Sequence, residues 1–407
     1  MTNNSINFIK GSNLDSSLTN SLINGTNGNN ILNCFQCGKC TASCLVGEQF
    51  PLNPHQMTAL GAMGASEVVI QEQVLKYCLT CGNCQQYCPQ GVDFIEFIRT
   101  ARTLMKKKGI AFEETHDGIL SILASLQANR PEGLKTPANL VPEGCQVSKK
   151  GKVAYFIGCL PMLSDVFDNF ETNSLKIAQD GIKILNHVLD KPPVIIENAK
   201  CCGHDSLWKG DFEIFKKLAK HNVNEIKKLG IETIVTSCAE CFRTLKQDYP
   251  KYIEGANFNV KHLSELIADK IKNNGMKFPE MSEVRVTYHD PCRLGRHMKV
   301  YESPREILNQ FKENGLTFNE MERTRENASC CGVSCFINCN DLAKAIQLDR
   351  LTEAKSVADT LVTTCPKCQI HFKCILHEKK EGDSDGLDLE ITDLTNIIAK
   401  MMGLSGK

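Results

Sequence analysis

Residues 233–241 read TIVTSCAEC, and residues 360–368 read TLVTTCPKC. Each is a short β-branched and apolar run that ends in Cys-x2-Cys, which predicts a buried strand delivering two thiols from its carboxyl end. The likeness continues on the amino-terminal side. Residues 198–203 (NAKCCG) match 327–332 (NASCCG), and residues 153–159 (VAYFIGC) match 286–292 (VTYHDPC). The offsets are 133, 129 and 127 residues, so the register drifts by only six over the repeat. Each copy reads strand, Cys, helix, short strand, Cys-Cys-Gly, helix, strand, Cys-x2-Cys. Helices are expected near residues 165–189 and 211–229 in the first copy, and near 304–312 and 341–355 in the second. Alternating strands and helices imply parallel sheets with crossover helices. Ligands gather at the carboxyl ends of the strands in such sheets, where these cysteines lie.

The remaining chain has a different character. Residues 34–44 (CFQCGKCTASC) and 78–88 (CLTCGNCQQYC) both read C-x2-C-x2-C-x3-C, and Pro89 follows the second run. This is the two-cluster bacterial ferredoxin spacing, in which the fourth cysteine of each run ligates the other cluster. It assigns Cys34, Cys37, Cys40 and Cys88 to one 4Fe–4S cubane, and Cys78, Cys81, Cys84 and Cys44 to another. Leu45 replaces the usual proline without removing a ligand. Four thiolates also suit zinc, but two matched copies of this spacing argue against it. Residues 66–77 look helical with Ser66 as a cap. Residues 92–108 read as an amphipathic helix whose far side carries Arg99, Arg102, Lys106, Lys107 and Lys108, a cationic end or a docking surface for an acidic partner.

The predicted organisation is a disordered leader (1–33), a helical ferredoxin domain (34–110), a helix and proline-containing linker (111–150), a first repeat (151–280) and a second repeat (281–407). The fold class is an α-helical two-cluster ferredoxin domain plus two pseudo-symmetric α/β repeats. The chain has 407 residues, 22 of them cysteine, and 47 basic against 47 acidic side chains. Zero net charge gives no basic footprint for nucleic acid. No apolar run reaches 18 residues and no secretory signal is visible, so the expected location is the cytoplasm or, through a partner, the cytoplasmic face of a membrane. Cysteines in that setting stay reduced, which favours metal or redox chemistry over disulfides.

Each repeat supplies five cysteines: Cys159, Cys201, Cys202, Cys238 and Cys241, then Cys292, Cys330, Cys331, Cys365 and Cys368. Five exceed a simple cubane or zinc site. Spacing alone says only that two equivalent thiolate-rich sites face each other. His204 and His289 lie beside the two sets and could move a proton, since histidine titrates near neutral pH. Arg293, Arg296 and Lys299 could hold an anionic substrate. No phosphate-binding glycine loop appears, so a flavin or nicotinamide would sit on a partner rather than on this chain.

The doubled C…CCG…CxxC pattern behind a two-cluster ferredoxin resembles the cysteine-rich CCG family that includes the D subunit of heterodisulfide reductase from methanogens. Similar chains occur as iron–sulfur subunits of glycolate, glycerol-3-phosphate and lactate oxidation systems. The resemblance covers residues 34–370. It implies one or two non-cubane 4Fe–4S clusters at the CCG motifs, beside the two cubanes, with Cys201, Cys202, Cys330 and Cys331 at the catalytic site; His289 and His204 are added to that site from their position beside these cysteines. It also implies reduction of a small-molecule disulfide, with electrons from a b-type cytochrome, flavoprotein or hydrogenase module. The run after Cys331, Gly332-Val333-Ser334-Cys335-Phe336, is bulkier than the glycine-rich run usual in that family.

Overall fold

The computed structural model describes residues 16–24, 30–47, 51–133, 136–274, 278–279, 283–382 and 387–404. They form two compact units. One comprises residues up to 118 with 205–212 and 333–342, and the other comprises 119–204, 213–332 and 343 onward.

Among its described residues the first unit is built from helices and turns, with no strand. Residues 1–15 and 25–29 of the expected leader lie outside the described residues. Ser16–Asn24, however, is a helix, which corrects the expectation of disorder there. Leu18 and Leu22, four apart on one face, are buried, and the helix packs on Pro54–Ala62 and Phe94–Lys107. An Asn- and Ser-rich composition hid that two-leucine stripe. Residues 66–77 form two short helices, Ser66–Val69 and Glu72–Leu75, with Ala65 rather than Ser66 at the cap. Val68, Val69 and Ile70 are all buried. Three consecutive residues cannot share one helical face, and extended Gln71 breaks the helix behind them.

Phe94–Lys107 begins at Asp93, whose carboxylate accepts the Glu96 N–H at 3.0 Å. Its last turn is basic, at Lys106 and Lys107, as a cationic helix end requires, but the side is closed further back. Arg99 and Arg102 are buried. Arg99 pairs with Glu96, and Arg102 donates to the carbonyls of Leu75, Cys78 and Trp208 at 2.9, 2.6 and 2.9 Å. Lys108 pairs with Glu67, and Lys106 lies 3.7 Å from Asp211. Residues 333–342 join this unit through Thr80 Oγ1 to Ser334 Oγ (3.0 Å) and the Thr115 N–H to the Phe336 carbonyl (2.8 Å).

The second unit holds two parallel four-stranded sheets. Strands β1 (Val153–Tyr155), β2 (Val194–Ile195), β3 (Thr233–Thr236) and β4 (Asn259–His262) lie in the order β2-β1-β3-β4. Strands β5 (Val284–Tyr288), β6 (Leu316–Phe318), β7 (Thr360–Thr363) and β8 (Glu390–Asp393) lie in the equivalent order β6-β5-β7-β8. The expected crossover helices are present as Ser174–Val188, Phe212–Lys228, Glu302–Gln310 and Asp341–Val357. The fourth strand of each copy was not expected. It is short, with only two fully buried positions.

The copies share one core, to which Ile177, Ile182, Leu185, Leu263 and Ile267 contribute from the first and Ile307, Leu308, Phe311, Leu394 and Ile398 from the second. Ser174–Val188 packs on Leu394–Met401, and Leu263–Asn274 packs on Glu302–Gln310. Each pairing joins the first crossover helix of one copy to the last helix of the other, which is the signature of a pseudo-twofold axis. Residues 111–150 were expected to be a helix and free linker. Ile119–Asn129 is the helix, but the segment after it is pinned. Leu140 is fully buried, Asn186 exchanges two 2.9 Å bonds with the Gln146 backbone, and Ser148 bridges to β2.

Candidate iron–sulfur centres

In the first unit the two ferredoxin-like runs fold alike because their backbones demand the same unusual turns. Gln36 and Gly38 have φ of 61° and 76°, and the equivalent Thr80 and Gly82 have 47° and 85°. A side chain at Gly38 would meet nothing within 4 Å, so glycine serves there for its left-handed conformation alone. Each glycine caps a short helix, Lys39–Ala42 or Asn83–Gln86, that carries the third cysteine.

Two hollows of nearly equal size result, about 440 and 410 Å³. Cys34, Cys37, Cys40 and Cys88 line one with Phe35, His55 and Pro89. Cys44, Cys78, Cys81 and Cys84 line the other with Leu45, Val46 and Ile95. Cys84 and Phe94 border both. N–H donors already point at several sulfurs: Gln36 Nε2 to Cys34 (3.1 Å), the Thr80 amide to Cys78 (3.4 Å) and the Val92 amide to Cys88 (3.4 Å). Such bonds stabilise thiolate and tune cluster potential. Burial pushes the Cys44 thiol up to about 12, and Cys84 is raised well above its ordinary value for the same reason. These sulfurs keep their protons until a metal displaces them. The donor set, all soft sulfur inside apolar walls, fits iron–sulfur clusters.

In the second unit each five-cysteine set comes together. Side-chain hydrogen bonds link Cys159 to Cys201, Cys201 to Cys202, Cys202 to Cys241, and Cys241 to Cys238. In the second copy they link Cys292 to Cys330, Cys330 to Cys331, Cys331 to Cys368, and Cys368 to Cys365. Five sulfurs linked one to the next in each set, all soft donors, again fit a metal centre. The strand ends that carry them are matched. The Tyr155 hydroxyl bonds Ser237 Oγ at 2.8 Å, and that of Tyr288 bonds Thr364 Oγ1 at 2.9 Å. Each pair clamps the first strand of a copy to the residue before its Cys-x2-Cys. Gly158, at φ 57°, leaves room where a Cβ would stand 3.2 Å from Cys241 Sγ. Its counterpart Pro291 lies in a loop fixed by Asp290, whose carboxylate takes two bonds, 2.7 and 2.8 Å, from buried Arg305.

The copies also meet. The Ala239 N–H, inside the first Cys-x2-Cys, donates to the Thr364 carbonyl beside the second at 3.1 Å. Glu240 and Lys367 pair at 2.5 Å. Arg293, next to Cys292, donates to His204 Nε2 at 3.1 Å, and His204 Nδ1 lies 2.8 Å from Thr244 Oγ1. Since arginine can only donate, Nε2 accepts, and the neutral ring donates from Nδ1 to Thr244.

The histidines do not carry the near-neutral titration their type suggests. Burial and the Arg293 charge hold His204 well below its ordinary value, and burial with Arg350 lowers His289 to about 3. Both rings are neutral hydrogen-bonding groups rather than ready cations. Arg296 is spent on the carbonyls of Glu326 and Ala328, at 3.2 and 2.6 Å, and Lys299 is exposed. The expected three-cation anion site is therefore not assembled as such. Glu240, Lys367 and Arg350 were missed. The first two could have been found from their equal place inside the two Cys-x2-Cys motifs.

Folds and thiol sets of these two kinds on one chain define an iron–sulfur oxidoreductase. A 4Fe-4S dicluster domain model matches residues 30–92, and a cysteine-rich domain model matches residues 153–246 and 286–373. Over 338 residues the chain is 31% identical to the D subunit of the dihydromethanophenazine:CoB–CoM heterodisulfide reductase of Methanosarcina mazei, covering 81% of this chain and 78% of that one. It is 28% identical over 382 residues to the B subunit of the fumarate reductase (CoM/CoB) of Methanothermobacter marburgensis, covering 89% and 71%. It is 22% identical over 397 residues to the EtfAB:quinone oxidoreductase of Syntrophomonas wolfei, covering 82% and 54%. The chain belongs to the family of the heterodisulfide reductase D subunits. No helix among the described residues is long and apolar enough to cross a membrane.

Proposed function

We propose that this chain is the disulfide-reducing iron–sulfur component of a larger oxidoreductase. Electrons come from a partner protein through two cubanes at the paired runs and reach two non-cubane clusters at the five-cysteine sets. One disulfide, two electrons and two protons then give two thiols. When bound, the clusters supply one-electron carriers.

The observation that carries this reading is the meeting of the two five-cysteine sets within one compact unit. Ala239 and Thr364 join them directly, and Glu240 and Lys367 do so through their side chains. A disulfide has two sulfurs to separate, and paired sites address both. The chain's own residues orient the centres. Tyr155 and Tyr288 fix the strand ends, and Arg293 fixes the His204 ring. Neutral His204 and His289 add no positive charge of their own beside the thiolates. Cys159, Cys201 and Cys292 are only partly buried, which gives a substrate its approach.

A second reading keeps the same centres but has them relay electrons from a flavoprotein without disulfide chemistry; the 22% identity to the EtfAB:quinone oxidoreductase supports it less than the 31% identity to the heterodisulfide reductase D subunit supports the first. The test is anaerobic purification with iron analysis, followed by assay of the coenzyme M–coenzyme B disulfide with reduced viologen. Four clusters require about sixteen irons per chain, and two thiols should appear per disulfide. Stoichiometric zinc with little iron would sink both readings, and full iron without thiol release would leave the relay.

A further inference from the structure

The two Cys-Cys-Gly turns are alike in sequence but are held in different ways. In the first copy the Asn222 side chain accepts the Lys200 N–H at 2.8 Å and donates to the carbonyls of Lys200 and Cys201, each at 3.2 Å. The Tyr249 hydroxyl donates to the Cys202 carbonyl at 3.1 Å, and Gln127 Oε1 accepts the Cys201 N–H at 2.9 Å. The polar side chains of the first copy are thus spent on the backbone of its own turn. In the second copy the positions of Asn222 and Tyr249 are taken by Leu351 and Leu376. Polar groups appear at other places instead. A Cβ on Gly203 would stand 3.6 Å from Leu218 Cδ1, whereas one on Gly332 would stand 3.1 Å from Gln347 Cγ. Gln347 therefore holds in the second copy the place of Leu218 in the first, against the glycine that follows the cysteine pair. It is 1% exposed, and Ser329, directly before Cys330, is 3% exposed. Gln347 Nε2 and Ser329 Oγ have no hydrogen-bond partner among the described residues. An unpaired buried donor is costly, and Leu218 shows that the fold does not require one at this place.

We propose that Gln347 and Ser329 donate hydrogen bonds to sulfur of the second centre, held by Cys292, Cys330, Cys331, Cys365 and Cys368, and so raise its potential. This rests on the reading that each five-cysteine set holds an iron–sulfur cluster. Such a centre brings thiolate and sulfide sulfurs, negatively charged acceptors to which N–H and O–H groups are the complement. Reduction adds one negative charge to them, so a donor stabilises the reduced state more than the oxidised state. The first centre, with Leu218 at the equivalent place, gains no such bond there. The two centres thereby differ in potential although their ligands are the same.

The experiment is an EPR-monitored redox titration of the full chain, loaded anaerobically with iron and sulfide. The Cys201→Ser background isolates the second centre. In it Gln347→Leu, which copies the first repeat, is expected to lower the reduced-to-oxidised ratio at fixed potential about tenfold, which is about 59 mV for one electron. Ser329→Ala should move the ratio in the same direction. In the Cys330→Ser background, which isolates the first centre, Gln347→Leu should leave the midpoint where it is. Thermal unfolding of the iron-free chain separates this role from a structural one, since replacing an unpaired donor by leucine should not lower the transition. A lower transition with an unmoved midpoint would show that Gln347 serves the protein's own packing, and would overturn the proposal. Equal shifts of both centres would overturn it as well. A parent chain whose second set takes up no iron overturns the cluster reading and this proposal together. A cluster present with an unmoved midpoint in both variants overturns this proposal alone.

Discussion

Arg102 shows how much a single buried side chain organises. Its guanidinium satisfies three carbonyls, among them that of cluster-ligand candidate Cys78. Arg102→Met leaves these acceptors without a donor, each worth about 1–3 kcal/mol. The variant is expected to lose at least about 3 kcal/mol of stability in denaturant titration and to retain less iron than the parent. Asp393 supplies a pH prediction. It caps Leu394–Met401 by accepting the Thr395 N–H at 2.8 Å, and burial raises its carboxyl to about 7, with Asp180 nearby adding to the shift. A folded value above the unfolded one means the native state binds the extra proton between about pH 4 and 7. Stability from this group is therefore full below about pH 4 and is lost as pH rises through 7, by on the order of 4 kcal/mol. Asp393→Asn keeps the cap and should flatten that decline in chemical denaturation across pH 4–8. An unchanged slope would exclude Asp393 as its source. Among single residues the sequence disclosed the cysteines, because ligand spacing is local. It could not disclose that Arg99 and Arg102 point inward or that His204 and His289 stay neutral, because burial by distant segments decides both.

Elements were legible where period and punctuation agreed. The crossover helices carry long 3.6-residue stripes, and the strands before Cys-x2-Cys are β-branched runs. β4 and β8 were not legible because four residues with one solvent-facing position hold too little alternation. The helix Ser174–Val188 carries a test of the strand clamp. Gly181 sits in its interior, where alanine is ordinarily better by about 1 kcal/mol. A Cβ here would overlap the Tyr155 hydroxyl, the group that bonds Ser237 beside Cys238. Gly181→Ala should therefore destabilise by about 1–3 kcal/mol, read as a lower thermal midpoint. Combined with Tyr155→Phe, which removes the hydroxyl, the alanine should cost less than it does alone. An alanine that stabilised the chain would show the clamp to be loose.

Across the whole chain, the doubled motif disclosed two equivalent α/β repeats, yet not that they share one core and exchange helices across an axis. Repeats separated in sequence carry no local mark of which faces meet. That meeting gives a two-centre mechanism its content, since each copy keeps all five cysteines and each reaches into the other through Glu240 or Lys367. The decisive experiment is disulfide turnover, as thiols released under reduced viologen, in Cys201→Ser and Cys330→Ser compared with the iron-loaded parent. Serine is a poorer ligand of nearly the same shape, so it should remove one centre with little strain. If both centres act on one disulfide, each variant should lose turnover by at least about 100-fold, an order-of-magnitude expectation from the loss of an essential redox group, while the cubane signals persist. Near-normal turnover in Cys330→Ser with none in Cys201→Ser would contradict the two-centre mechanism and leave catalysis to the first set alone.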